Sequence, residues 1–175
     1  MKRIGTVWSA AWLLTLGACL LLLSGAVRAQ TDQDQGDLTR DWNLRIGMFI
    51  PQMHATRAAS STVGLSAIAE RTVYRAPQWD LNIGIGYNGT TDIYAVPITA
   101  TGIVHVNNLR YGFGAGYAFG RRIGGGGFTG ATILLLVGYQ FTHGRNPLSA
   151  DLRYYFVTGT DDELDGYSLT IGMQF

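Results

Sequence analysis

From Trp42 onward, bulky apolar residues alternate with small or polar ones at a period of two, and no helical period competes with it. Trp42, Leu44, Ile46, Met48 and Ile50 share one face, with Asn43, Arg45 and Gly47 on the other. Trp79, Leu81, Ile83, Ile85 and Tyr87 alternate with Asp80, Asn82, Gly84 and Gly86. Leu109, Tyr111, Phe113, Ala115, Tyr117 and Phe119 are separated by Arg110 and by glycines. Leu148, Ala150, Leu152, Tyr154 and Phe156 alternate with Ser149, Asp151 and Arg153. Tyr167, Leu169, Ile171, Met173 and Phe175 close the chain. Successive side chains of a strand point to opposite faces, so each segment predicts a strand with one apolar face.

Residues 93–104 and 128–141 are apolar on both faces and rich in β-branched residues, and they predict two more strands. Residues 63–74 are the eighth and weakest segment. They read either as a strand with Ser66 and Glu70 opposite Val63, Leu65, Ala67 and Val73, or, through their alanine-rich middle, as a short helix. Turn signals separate the segments: Asn88-Gly89 is a hairpin pair, Asn107-Asn108 is turn-prone, and residues 144–147 break the chain. Pro97 falls inside a predicted strand and suggests a local bulge.

The polar faces carry small residues and a few charges, whereas the apolar faces are bulky and almost uncharged. That inverts the arrangement of a soluble sandwich and matches a barrel with an apolar exterior against lipid and a polar lumen. Strands in lipid must pair all their backbone groups, so the sheet must close. With strands crossing in alternate directions, Trp42, Trp79, Phe141 and Phe175 gather at one rim, and Tyr87, Phe119, Phe128, Phe156 and Tyr167 at the other, as two aromatic girdles. A soluble lipocalin-like barrel that binds an apolar ligand is the competing reading, and it does not account for this sorting.

Composition changes the picture at the amino terminus. Met1-Lys2-Arg3, an uncharged leucine-rich run and Val27-Arg28-Ala29 form the three parts of a secretory signal, predicted over residues 1–29 with cleavage after Ala29. An uncleaved anchor, or lipoprotein processing at Cys19, competes with that reading; the four leucines after Cys19 argue against the lipoprotein. Residues 30–41 form a flexible polar leader and residues 42–175 the barrel domain. Without the signal the chain has no lysine or cysteine, and ten arginines face twelve acidic residues. So weak a net charge excludes an electrostatic nucleic-acid partner.

The terminal run Tyr167, Leu169, Ile171, Met173 and Phe175, ending on phenylalanine, resembles the strand by which outer-membrane barrels are recognised for assembly. With the signal and the strand count, residues 42–175 resemble the eight-stranded outer-membrane barrels of the OmpA/OmpX and opacity-porin kind. The resemblance implies an all-β, closed, antiparallel, up-and-down transmembrane barrel in the outer membrane of a diderm bacterium. It also implies a structural or surface-interaction role, contact with lipid and lipopolysaccharide, and a barrel-assembly machinery as partner. A monomer is expected. The short loop expected at residues 88–91 argues against an adhesin, because many relatives carry long external loops.

Eight strands leave an interior only wide enough for side chains. Arg45, Arg110 and Arg153 against Glu70, Asp80 and Asp151 are expected to form a salt-bridged plug, with Asn82 and Gln174 completing its hydrogen bonds. Inward Gly84, Gly86, Gly112, Gly114 and Gly116 are expected to leave room for the arginines. Arg121 and Arg122 are candidates for lipopolysaccharide phosphates. The acidic run Asp161, Asp162, Glu163 and Asp165 reads as a solvated loop in preference to a calcium site.

Other chemistry is weaker. Gly84, Gly86 and Gly89 match G-x-G-x-x-G, but no helix follows to receive a phosphate. Residues 124–127 lack the lysine of a phosphate-binding loop. His105 and His143 are placed at turns without acidic neighbours, and no paired histidine motif is present, so no metal or cofactor is expected. His54 with Ser60 and Ser61 in the first loop is the one arrangement that could serve a lipid A deacylase or acyltransferase, the alternative to a non-enzymatic role.

Overall fold

The computed structural model describes residues 42–143 and 146–175. The predicted signal and leader, and Gly144 and Arg145 of the anticipated break, lie outside the described residues. Eight strands form a closed barrel in chain order, each antiparallel to the next: β1 (Trp42–Pro51), β2 (Gly64–Arg75), β3 (Trp79–Gly89), β4 (Tyr94–Val106), β5 (Leu109–Arg121), β6 (Gly127–Gln140), β7 (Leu148–Val157) and β8 (Gly166–Gln174). The first strand closes on the last, from Asn43 opposite Gln174 to Pro51 opposite Gly166. Closure leaves no unpaired sheet edge.

The alternation read from the sequence is the inside and outside of this barrel. Ile46, Tyr117 and Ile171 are 64%, 67% and 62% exposed on the exterior, while Arg153 and Asp151 are fully buried within. Segment 63–74 is a strand, not a helix: Ser66, Ile68, Glu70 and Thr72 point inward, and Leu65, Ala67, Ala69, Arg71 and Val73 outward. A six-residue helix, α1 (His54–Ala59), lies in the connection before it.

Three local expectations need correction. Asn88 and Gly89 belong to β3, and the turn is residues 90–93, closed by the Thr90 amide on the Ile93 carbonyl at 2.8 Å. Asn88 is inward and buried because Ser66 donates to its Oδ1 at 2.7 Å. No bulge occurs at Pro97: β3–β4 pairing lapses between Ile85–Ile98 and Asn88–Ala95 without a change of register, since proline has no amide to contribute. The register shift is between Thr72 and Tyr74 of β2. Phe128, assigned to a rim girdle, packs instead against the interior cluster of Ile93, Ala95, Ala118, Val157 and Leu164.

Candidate functional site

Across the middle of the lumen, five charged side chains from β1, β2, β5 and β7 meet. The Arg153 guanidinium makes a two-pronged pair with Glu70, Nη1 to Oε1 at 2.6 Å and Nη2 to Oε2 at 2.8 Å. Its Nη2 also donates to Asp151 Oδ2 at 3.1 Å. Arg45 Nη1 stands 2.9 Å from that oxygen and Arg45 Nε 3.5 Å from Glu70 Oε2, while Arg110 Nη1 donates to Asp151 Oδ1 at 3.1 Å. Ser149 Oγ accepts from Arg45 Nη2 at 3.0 Å and from Arg110 Nη1 at 2.8 Å, bridging the two arginines. A buried charge persists only where such partners replace its water.

Asp80, expected in this group, stands apart. Its Oδ2 is 3.0 Å from His105 Nε2 and its Oδ1 3.6 Å from Arg75 Nε, near the end that carries the termini. His105 therefore does have an acidic neighbour, contrary to the sequence expectation. The cause is register: Asp80 lies opposite Ile103 on β4, and His105 is the next residue along the same inward row. Asp80, Asn82, Arg110, Ser149 and Gln174 line one small polar chamber of about 20 Å³, enough for a single water. The central group thus carries three guanidiniums against two carboxylates, with Asp80 facing Arg110 only across that chamber.

Glycines make this crowding feasible, at positions set by the ladder. Glu70 lies opposite Gly84, Arg45 opposite Gly172, and Gly138 opposite both Arg110 and Asp151. A methyl at Gly172 would fall 2.3 Å from Arg45 Cγ, and one at Gly138 would fall 2.2 Å from Asp151 Oδ1. Of the glycines expected to make room for arginines, Gly84 makes it for Glu70 instead; Gly116 serves a different need, since its added methyl would strike the Ile98 carbonyl oxygen at 1.9 Å.

Beyond the charges, Ser168 donates to Ser66 at 2.6 Å and Ser66 to Asn88. Past that polar layer, Leu164 from the β7–β8 loop enters the barrel mouth and joins Ile93, Val157 and Phe128. Sequence reasoning missed Ser149, Ser66, Ser168 and this apolar cap. The serines had the right inward parity, but their short side chains gave no chemical signal.

The acidic loop is not a freely solvated run. Glu163 Oε2 accepts from the Ile123 amide at 3.0 Å, and Asp161 Oδ2 is 3.5 Å from Arg122 Nη1, which also donates to the Gly159 carbonyl at 3.3 Å. Asp165 is buried and accepts from the Val157 amide at 2.7 Å. Burial pushes its carboxyl above the usual range, with the neighbouring Asp162 charge adding to the effect and the Val157 hydrogen bond opposing it. Arg122 is thereby engaged within the protein, whereas Arg121 is exposed on the strand before it.

The histidine–serine arrangement does not assemble. Ser60 Oγ pairs with Thr90 Oγ1, and Ser61 Oγ donates to the Val63 carbonyl at 2.9 Å. Among the described residues, no hydrogen bond joins His54 to either.

No family model and no curated protein matches the chain. Among solved structures it is similar to the crystal structure of Neisserial surface protein A, an eight-stranded outer-membrane barrel, with a TM-score of 0.54 at 16% identity over 77% of this chain and 94% of that one. The likeness is one of fold: this chain is a closed, up-and-down, eight-stranded antiparallel barrel of the same architecture.

Proposed function

We propose that the chain is a small outer-membrane barrel with a structural or surface-interaction role, its lumen closed by side chains and not open as a wide pore. The inverted burial pattern carries this reading. Ile46 and Ile171 are more than half exposed while Glu70 and Arg153 are dry, an order that is stable only where the outer solvent is lipid. Both termini of the barrel lie at one end, which on this reading faces the periplasm. The α1 connection, the residue 90–93 turn and the two clasped loops face outward. Arg121 then stands at the outer surface for lipopolysaccharide phosphates, with Arg122 held against the acidic loop. Tyr167, Leu169, Ile171, Met173 and Phe175, all outward and exposed, present the terminal strand to an assembly machinery. A monomer suffices, because closure satisfies every strand.

Cell fractionation followed by electrophoresis with and without boiling tests the location. Heat-modifiable migration in the outer-membrane fraction is expected, and recovery in a detergent-free soluble fraction would overturn the reading. In a planar bilayer the folded protein is expected to give no sustained large conductance, and a steady large current would refute a closed lumen. Lipid acyl hydrolase or transferase activity that disappears in His54→Ala would refute a non-enzymatic role.

A further inference from the structure

The exterior of the barrel is not uniform. Along the outward face of β2, two small side chains, Ala67 and Ala69, lie between taller neighbours on both sides. Ala67 is flanked by Ile46 and Tyr87, and Ala69 by Leu44 and Ile85. The result is a groove of about 600 Å³ with an almost wholly hydrocarbon lining. The next outward residue of the same strand is Arg71, flanked by Trp42 and Ile83. Among the described residues, Arg71 is the one charged side chain on the outward face between the two rims, and no acidic side chain there pairs with it. Every lumen arginine, by contrast, has a carboxylate within 3.1 Å.

We propose that this face binds one glycerophospholipid of the leaflet nearest the termini, its phosphate on Arg71 and one acyl chain in the groove over Ala67 and Ala69. The inference rests on the membrane reading above. An arginine turned toward lipid is costly at the bilayer midplane and nearly free near an interface. Arg71 lies four residues before the end of β2, roughly 10 Å along the membrane normal for a strand tilted about 40°. Its side chain can therefore snorkel to the headgroup layer, where the indole of Trp42 also belongs. A guanidinium fork matches a phosphate with two parallel hydrogen bonds and supplies the counter-charge that the protein does not. From that anchor the acyl chain runs along β2 over Ala69 and then Ala67, toward the membrane centre. A second copy of the barrel is the poorer occupant, because it would cover Arg71 with an equally apolar wall.

The test uses the barrel folded into vesicles of equal parts phosphatidylethanolamine and phosphatidylglycerol, extracted in mild detergent and weighed by native mass spectrometry. One retained phospholipid per folded wild-type barrel is expected. Occupancy should fall about tenfold in Arg71→Gln and in the double variant Ala67→Leu/Ala69→Leu, and should stay at the wild-type level in Arg122→Gln. Heat-modifiable migration checks each sample, so a failure of the membrane-barrel reading shows as an unfolded wild type, distinct from a folded barrel without lipid. A folded wild type that retains no lipid overturns the proposal. So does equal retention by all variants, or a two-chain mass lost in the groove variants.

Discussion

Glu70 and Arg153 illustrate how the lumen depends on single side chains. Each is dry, and each satisfies two hydrogen-bonding atoms of the other, so removing one partner strands a charge in a medium that cannot hydrate it. Glu70→Gln and Arg153→Met are each expected to lower stability by about 3–5 kcal/mol, and the double variant by less than their sum. Urea unfolding of the vesicle-embedded barrel, run as a double-mutant cycle, measures both. The inward parity of these residues was legible in the sequence from period-two alternation alone. Their partnership was not: the two lie 83 positions apart, and which residues meet across a lumen depends on the tilt and stagger of the closed sheet. The same ignorance of register placed Asp80 in the central group instead of beside His105.

At the scale of elements, the glycines of β5 separate into different tasks. Gly116 allows β4 and β5 to approach so closely that a side chain would meet backbone, which cannot retreat as a flexible side chain can. Gly116→Val is therefore expected to yield no heat-resistant folded form on refolding, read directly by gel migration. The β7–β8 loop answers to pH through Asp165. Its carboxyl is raised above its unfolded value, so the folded loop holds the proton more tightly than the unfolded chain does. The associated stabilisation is complete below the unfolded pKa and is lost as pH rises through the folded one. Amide exchange at Val157 is expected to quicken, after correction for intrinsic rate, as pH rises through the folded pKa from the acid side. In Asp165→Asn, which keeps an acceptor, that dependence should vanish. Five strands could be read from the sequence because half-buried strands advertise their period, two more from their β-branched composition, and residues 63–74 only as one of two readings. The short helix α1 could not, since six residues give under two turns of pattern, nor could the loop clasp, whose glutamate binds a backbone amide that no side-chain chemistry announces.

For the molecule as a whole, the seam between β1 and β8 is decisive. At its end the Trp42 amide donates to the Phe175 carbonyl at 3.2 Å and the Phe175 amide to the Trp42 carbonyl at 2.9 Å. Deleting Phe175 removes only that last rung, at about 1 kcal/mol for each of two hydrogen bonds. Refolding in vesicles is expected to survive the deletion, whereas the yield in the outer membrane of living cells should fall many-fold if the terminal residue is read as an assembly signal. Equal losses in the two settings would show that Phe175 matters for stability alone. The seam also fixes the order of events in the life of the chain. Neighbouring strands can find each other through short turns, but the ring shuts only when the two ends of a stretch of roughly 130 residues meet, an entropic cost of about 4 kcal/mol. No earlier stage has a finished perimeter, and until the two ends meet every copy carries two bare strand edges on which it could pair with another.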